Sequence, residues 1–268
     1  MMKIWSVVGC LAGFLPTVAQ AQGVQKYTTN AMNERAVPCP DDPLQLGYKH
    51  ITDVNTDQET ELKRIADGQA PRTPYIFPLC NNFKFLMSET VLKVLLKDVI
   101  FVCGYNGTNQ ELCVLEGHSQ QVVVPEVSTN TNATFQGISF YEFTSISTKA
   151  YGAESSLITF NDCRWQGYTG NATAIHQFNP AGGKPMKVVI NTGVFEDGFG
   201  RHLIDNNGGI LEAKNISVLE GAHADSVIRT SQGGTSSLDL AYATLADLVV
   251  RSCKEFRIER STGRWSVI

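Results

Sequence analysis

Five segments of eight residues repeat one apolar pattern in the second half of the chain. Their first residues lie 25, 30, 23 and 27 positions apart, so the repeating unit is about 25 residues long. The first, third, sixth and eighth positions hold apolar residues or glycine, and the second, fourth and seventh are mostly polar. A fixed period of this length is typical of repeat architectures. The segments are ATFQGISF from Ala133, ITFNDCRW from Ile158, VVINTGVF from Val188, LEAKNISV from Leu211 and LDLAYATL from Leu238.

The spacing of the apolar positions predicts a corner inside each segment. Successive residues of a strand face opposite sides, so the first and third positions face one side. The sixth and eighth positions face that same side only if the alternation slips by one residue in between. We therefore expect a tight bend at or near Gly137, Asp162, Thr192, Asn215 and Tyr242. Glycine, asparagine and aspartate tolerate the left-handed backbone that such bends need, and the tyrosine fits poorly.

Strand, corner, strand and loop, repeated at this period, predict an all-β fold, a right-handed parallel β-helix or solenoid. One coil cannot bury its own apolar residues, so neighbouring coils bury them by stacking equivalent positions. We expect Phe135 over Phe160, and Phe140 over Trp165 over Phe195. A β-sandwich is the alternative, although it does not require inward positions at constant offsets in five parallel segments.

One helix is readable before the repeats. Thr56 is the expected N-cap, with Glu59 three residues later as its reciprocal partner in a capping box. An apolar face follows, and Gly68 is the expected stop. The pattern predicts a capping helix around residues 57–67.

The N terminus resembles a secretory signal peptide. It has Lys3, an apolar run over residues 4–15 that is too short to cross a bilayer, and a small-residue cleavage site at Ala19-Gln20-Ala21. The tail contains no readable capping helix, so a truncated chain is one interpretation of it. The expected organisation is a signal peptide over 1–21, an N-terminal segment with the helix over 22–70, a β-helix domain over 71–250 and a tail over 251–268.

Cysteine usage agrees with export. Of seven cysteines only Cys10 lies in the signal segment, which leaves six, and no two have the C-x-x-C spacing of a zinc or redox site. An exported chain can keep disulfides. The partners of Cys163 and Cys253 stay open. The expected bridges are Cys103–Cys113, across a turn-rich loop, and Cys39–Cys80, in the proline-rich N-terminal part.

Surface chemistry limits the classes of partner. The formal net charge is −4 and no basic cluster occurs, which argues against nucleic acid or an anionic membrane surface. No later segment is apolar for long enough to insert into a membrane, so a secreted protein is expected. N-x-S/T sequons predict N-glycosylation in exposed positions. These sequons are at Asn106, Asn132, Asn171 and Asn215.

The helix followed by YIFPLC, LLKDVIFVCG and CVLEGHSQQVVV resembles the N-terminal part of pectin-lyase-fold proteins. In that family an amphipathic helix closes the apolar end before the coils begin. CPDDP, IFVCG and CVLEG further resemble a group of secreted, uncharacterised β-helix proteins from diatoms and related algae. The resemblance covers about residues 39–250 and implies a fold more than a function, because this fold carries lyases, hydrolases, esterases and non-catalytic adhesins.

The stretch FEDGFGRHLIDNNGG, residues 195–209, gathers charged side chains among glycines. Residues 196–201 are expected to form a loop, and His202 to begin a strand beside AIHQF at 174–178 and SVIRT at 226–230. Family members that cut polysaccharides use this strand face as their substrate groove. Gln177, Asp205 and Arg229 are expected to share one column. Candidate catalytic residues are Asp197, His202, Asp205 and Arg229, and candidate ligand contacts are His176, Gln177, Arg201, His202, Asp205 and Arg229.

The constellation departs from the catalytic sets of that family. Polygalacturonases carry N-T-D, then D-D and G-H-G, whereas this chain has NTG at 191, EDG at 196 and GRH at 200 within one coil. Pectate lyases need several aspartates for Ca²⁺ and an arginine base on neighbouring coils. The expected column supplies one carboxylate and one arginine. No cofactor is therefore expected, with Ca²⁺ only under a lyase interpretation, and His176 with His202 lacks a third ligand for a metal.

Three functions stay open. The favoured one is a non-catalytic extracellular glycoprotein that binds polysaccharide or matrix on its strand face. The alternatives are a polysaccharide lyase or glycoside hydrolase, and a structural or adhesive module. Two carboxylates within about 10 Å on the groove face, beside arginine or histidine, would favour the enzyme, and a single carboxylate would favour binding. Oligomeric state is not predicted.

Overall fold

Parallel strands stacked along one axis form the body of the protein, and one helix precedes them in the part that is described. The computed structural model describes residues 35–87, 90–104, 107–108, 112–117, 131–141, 147–149, 156–167, 173–178, 186–231, 234–243, 247–251, 255–258 and 264–267. The elements are β1 Val37–Pro38, β2 Leu46–Gly47, α1 Ile51–Ala66, β3 Tyr75–Leu79, β4 Phe83–Leu86, β5 Val99–Cys103, β6 Cys113–Glu116, β7 Asn132–Gln136, β8 Ile138–Tyr141, β9 Ser147–Lys149, β10 Leu157–Gln166, β11 Thr173–Phe178, β12 Lys187–Phe195, β13 Gly198–Asn207, β14 Ile210–Val218, β15 Ala222–Ser231, β16 Thr235–Ala243, β17 Asp247–Arg251, β18 Glu255–Ile258 and β19 Arg264–Val267.

Strands β3 to β19 form two large sheets, and β1 and β2 form a separate antiparallel pair. The first runs β18-β16-β14-β12-β10-β7-β5-β3, with β4, β6 and β8 joined to it at β10. The second, which we call the site sheet, runs β19-β17-β15-β13-β11-β9. From β10 onward the chain alternates between the two sheets and every pairing is parallel. This arrangement confirms a β-solenoid, and its pairing continues past residue 250, where the domain was expected to end.

Equivalent apolar positions stack through the interior as predicted. Phe135 pairs with Phe160 in the register of β7 and β10, and their ring centroids lie 5.2 Å apart. Trp165 lies between Phe140, at 5.7 Å, and Phe195, at 4.9 Å. All five side chains are buried. Each coil therefore completes the core of its neighbours.

The predicted corners have left-handed backbone. The φ angles are +70° at Gly137, +50° at Asp162, +62° at Thr192 and +55° at Asn215. A β-branched residue rarely adopts this conformation. At Thr192 the hydroxyl accepts a 3.0 Å hydrogen bond from the Asn215 amide of the next coil, which helps to hold the bend. The corner prediction is confirmed for these four segments.

The register of the fifth segment was wrong by two residues. Leu211 pairs with Ser236, and Ala213 pairs with Leu238, which was expected beside Leu211. Ser236 is buried, and it occupies an interior position because its hydroxyl bonds to Asn206 Nδ2 at 2.9 Å and Thr230 Oγ1 at 2.6 Å. A search for apolar residues cannot recognise a core position that a satisfied serine fills.

Helix α1 begins six residues before the predicted start at 57. His50 is the N-cap, and Thr56 lies inside the helix with its hydroxyl donating to the Thr52 carbonyl at 2.7 Å. The added first turn buries Ile51 and Val54, and two buried amides hold the helix in place. Asn55 bonds to the backbone of Val91 and Lys93, and Gln58 bonds to the backbone of Lys93 and Leu95, at 2.8–3.0 Å. These polar contacts attach the helix to the segment before β5. A search for periodic apolar residues cannot predict them.

Both expected disulfides are present, Cys39–Cys80 and Cys103–Cys113, with S–S distances of 2.11 and 2.06 Å. Cys163 is free and buried, and burial raises the pKa of its thiol to about 12. Two disulfides fit an oxidising compartment. Among the described residues no helix is long and apolar enough to cross a membrane. Cys253 and the signal segment at 1–21 lie outside the described residues.

Candidate functional site

Three side chains form an outward-facing row across consecutive strands of the site sheet. His176 on β11, Asp205 on β13 and Arg229 on β15 are Cα partners in that order. His176 Nε2 lies 3.8 Å from Asp205 Oδ2, and Arg229 Nε lies 3.2 Å from Asp205 Oδ1. We call these three residues the polar row. The expected column was wrong at one member, since Gln177 pairs with Asn206.

The core places the polar row at the surface. Ile175, Ile204 and Ile228 immediately precede its members, pair with one another and are buried. The next residue on each strand faces the opposite side. The side chains of His176 and Arg229 are 32% and 35% exposed, and that of Asp205 is 12% exposed. A ligand can therefore reach the imidazole and the guanidinium more readily than the carboxylate between them.

His202 and Ser226 support the row from beneath. They are Cα partners on β13 and β15, both are buried, and His202 Nδ1 lies 2.6 Å from Ser226 Oγ. His202 Nε2 lies 3.4 Å from Arg229 Nη1. A guanidinium only donates, so Nε2 accepts and Nδ1 carries the hydrogen that it donates to Ser226. His202 therefore positions Arg229 and does not activate Ser226 as a nucleophile.

The row contains one carboxylate. Asp197 lies in the turn before β13 with φ +48°, and its carbonyl accepts the Gly167 amide at 2.7 Å. The neighbouring Glu196 pairs with Arg164 at 2.9 Å. Arg201 belongs to β13, although its side chain is outside the described part.

In the described residues no group of three or more His, Cys, Asp or Glu side chains could hold a metal ion.

Gln177 is buried inside a corner of the solenoid. Its amide donates to the carbonyls of Met186 at 2.6 Å and Ile210 at 3.3 Å. Asn206 continues this internal amide ladder on the next coil and is completely buried. We therefore assign Gln177 to the support of the corner. Sequence reasoning missed Asn206, although its place directly before Asn207 and a Gly-Gly pair marked a turn.

The surroundings of His176 change its titration. Burial lowers the pKa of His176 below its usual range, Asp205 opposes the change and Arg229 adds to it. The neutral imidazole is therefore favoured in the folded protein. The Asp205 carboxylate and the Arg229 guanidinium pair with each other beside it.

The lowered pKa of His176 predicts a pH dependence of stability. Below about pH 6.5 the unfolded chain binds a proton at this histidine more readily than the folded chain does. The free energy of unfolding is therefore expected to fall as the pH falls from 8 towards 5. Urea unfolding should show a smaller decrease in His176→Gln than in the wild type. His50→Gln is the control and should keep the wild-type slope; equal slopes for His176→Gln and the wild type would refute this interpretation.

Two sequons lie in described, exposed positions. The Asn132 amide donates to Asp98 Oδ1 at 2.6 Å, and Asn215 lies at a left-handed corner. Asn106 and Asn171 lie outside the described residues. Glycosylation of all four asparagines stays a prediction.

Comparisons of the chain with protein-family models, curated proteins and solved structures found no match.

Proposed function

We propose that the protein is a secreted, N-glycosylated β-helix protein of the pectin-lyase type that binds extracellular polysaccharide or matrix glycan without cleaving it. The polar row is the proposed contact surface. The observation that carries the proposal is that its carboxylate, Asp205, is held between Arg229 and His176 and has no second carboxylate in the row.

The groups of the row suit sugar hydroxyls. A carboxylate accepts hydrogen bonds, a guanidinium donates them, and a neutral imidazole does one at each nitrogen. In the backbone register, β9 pairs with β11 beside His176 and β17 pairs with β15 beside Arg229. Neighbouring strands lie about 4.8 Å apart, so five strands offer an extended surface. A linear polymer matches such a surface better than a compact ligand does.

The same geometry favours binding over catalysis. Glycoside hydrolysis requires two carboxyl groups about 5–9.5 Å apart, and the row provides Asp205 alone. Ser226 accepts a hydrogen from His202, so His202 does not activate this hydroxyl for ester cleavage. Export is supported by the two disulfides together with the signal-like N terminus. A structural or adhesive module is the remaining alternative.

The polysaccharide test uses the purified protein and Arg229→Ala. We expect retention of the wild type on immobilised neutral or uronate-rich polysaccharide, and at least about tenfold weaker binding of Arg229→Ala, equivalent to 1.4 kcal/mol. Arg164→Ala is the matched control, because Arg164 has similar exposure and also pairs with a carboxylate, but lies on β10 of the other sheet. Its retention should equal that of the wild type. Circular dichroism would confirm that both variants fold.

The same incubations distinguish the alternatives. Unsaturated products and new reducing ends should not form with any of the polymers. Product release that is abolished by Asp205→Asn or His202→Ala would identify an enzyme and contradict the proposal. Absence of retention on every polymer would favour the structural module.

A further inference from the structure

A groove separate from the polar row lies where helix α1 begins, beside strand β4. Its volume is about 340 Å³, and its walls come from residues 49–52 on one side and 83–86 on the other. Lys49 and His50 precede the helix, whereas Phe83 and Leu86 lie at the two ends of β4. This is the end of the solenoid at which the coils begin.

The chain path explains why the groove is open. Tyr48 forms a parallel bridge with Leu79 at the end of β3. At this point the segment that leads into the helix takes the place of one more strand beside β3. The chain then turns into α1 at Ile51. Among the described strands, β4 therefore pairs with β6 on one side and has no neighbour on its other side. Strand β4 is thus an edge of its sheet next to a cavity.

The backbone of this edge points into the groove. The Met87 amide donates to the Glu116 carbonyl of β6 at 2.7 Å. In parallel pairing, alternate residues direct their backbone groups to one neighbouring strand and the residues between them to the other. The backbone groups of Leu86 therefore face away from β6. An extended segment lying in the groove would meet them at strand distance.

The side chains around the groove are apolar and cationic. Leu86 is 66% exposed, so a large apolar side chain is open to a ligand in the groove. Phe83 is partly buried and packs against the core. Lys49 and His50 stand on the opposite wall, and no aspartate or glutamate is among the described residues that line the groove. Lys84 also lines the groove and is balanced by Glu116 at 2.7 Å.

We propose that this groove binds an extended peptide segment of a partner protein, which adds to β4 as a strand. Main-chain hydrogen bonds to an edge supply affinity in this mode of recognition, and alternate side chains supply specificity. One apolar side chain of the partner packs on the exposed Leu86. An acidic side chain faces Lys49. The partner segment therefore alternates apolar with polar residues, has at least one acidic residue among the polar ones and contains no proline, which cannot donate to the ladder.

The test is a selection of random displayed octapeptides on the full-length protein. The enriched peptides should alternate apolar with polar residues, contain at least one acidic residue and lack proline. A synthetic peptide of the enriched sequence should bind about tenfold more weakly to Leu86→Ser and to Lys49→Glu. Lys49→Glu should instead prefer the same peptide with lysine in place of its acidic residue. Lys214→Glu is the matched control, because Lys214 is exposed on β14 far along the chain, and it should bind like the wild type.

The outcomes separate this proposal from the polysaccharide proposal. Leu86→Ser and Lys49→Glu should keep wild-type retention on polysaccharide, since neither residue belongs to the polar row. Loss of that retention would assign the groove to a glycan and overturn the peptide proposal. It would also be overturned if no peptide were enriched, or if the enriched peptides bound Leu86→Ser and Lys49→Glu as tightly as the wild type.

Discussion

Replacement of Trp165 by alanine is expected to lower the free energy of unfolding by about 3–5 kcal/mol. The indole is 1% exposed and stacks between Phe140 and Phe195, which belong to the coils before and after it. Truncation would leave a cavity that touches three coils at once. The surrounding rings cannot close this cavity without moving the strands that carry them, so both the transfer energy and the packing energy are lost.

Urea unfolding measures this loss directly, with Trp165→Phe as the control. The control keeps an aromatic ring between Phe140 and Phe195, and the indole nitrogen has no hydrogen-bond partner among the described residues. We therefore expect a clearly smaller loss for Trp165→Phe. A loss below about 1 kcal/mol for Trp165→Ala, the ordinary size of a surface substitution, would contradict the stacked core.

Asn206→Ala is the second substitution with a large expected effect, a loss of about 3 kcal/mol. The completely buried Asn206 amide donates to the carbonyls of Gly209 and Thr235 at 3.1 and 2.9 Å and to Ser236 Oγ at 2.9 Å. Its carbonyl oxygen accepts the Gly209 amide at 3.0 Å. Alanine would leave the buried Gly209 amide without its acceptor and would remove the bonds to Thr235 and Ser236, and each buried hydrogen bond lost costs about 1–3 kcal/mol before relaxation.

The neighbouring Asn207 provides the control for Asn206. Asn207 is half-buried, and its side-chain oxygen accepts one 3.3 Å hydrogen bond from Ser231. Asn207→Ala is expected to change the free energy of unfolding by less than about 1 kcal/mol. Equal losses for the two variants would show that the internal amide ladder does not stabilise the corner.

The solenoid could be predicted because its driving force repeats in the sequence. Stacking requires an apolar residue at the same position of each coil, and the first four aligned segments meet this requirement at residues such as Phe135, Phe160 and Ile190. The corners were readable because left-handed backbone restricts the residue type. Both signals can be read from the residue types along the chain, so neither requires knowing which distant residues contact each other.

The features that were missed depend on hydrogen bonds between distant residues. Ser236 fills a core position through bonds to Asn206 and Thr230, so the apolar pattern misplaced the fifth segment by two residues. Helix α1 is attached through Asn55 and Gln58, whose backbone partners lie 35–38 residues away. The sequence does not show which distant residue a polar side chain in a helix or strand will bond to.

The candidate site was predicted in its location and corrected in its register. Strand β13 does not alternate strictly, because Leu203, Ile204 and Asn206 are all buried. A slip of one residue exchanges the inward and outward sets of a strand. The sequence therefore placed Gln177 beside Asp205, where the structure places His176. The contact between His202 and Ser226 required the pairing of β13 with β15.

One outward column offers a direct view of how the coils are arranged. Ile76, Ile100, Thr134, Thr159, Val189, Glu212 and Ser237 are successive Cα partners across the first sheet. All seven are half-buried on the outer side. Their spacing in sequence is irregular, whereas their spacing in space should be one strand separation per coil.

The most direct measurement is the distance between pairs of spin labels on this column, in a Cys163→Ala, Cys253→Ala background. With one label at Ser237, the second is placed in turn at Thr134, Ile100 and Ile76, which are four, five and six strands away. Stacked parallel coils predict distances of about 19, 24 and 29 Å, each step adding one strand separation. Distances that do not increase in such equal steps would contradict the stacked coils and, with them, the placement of the polar row.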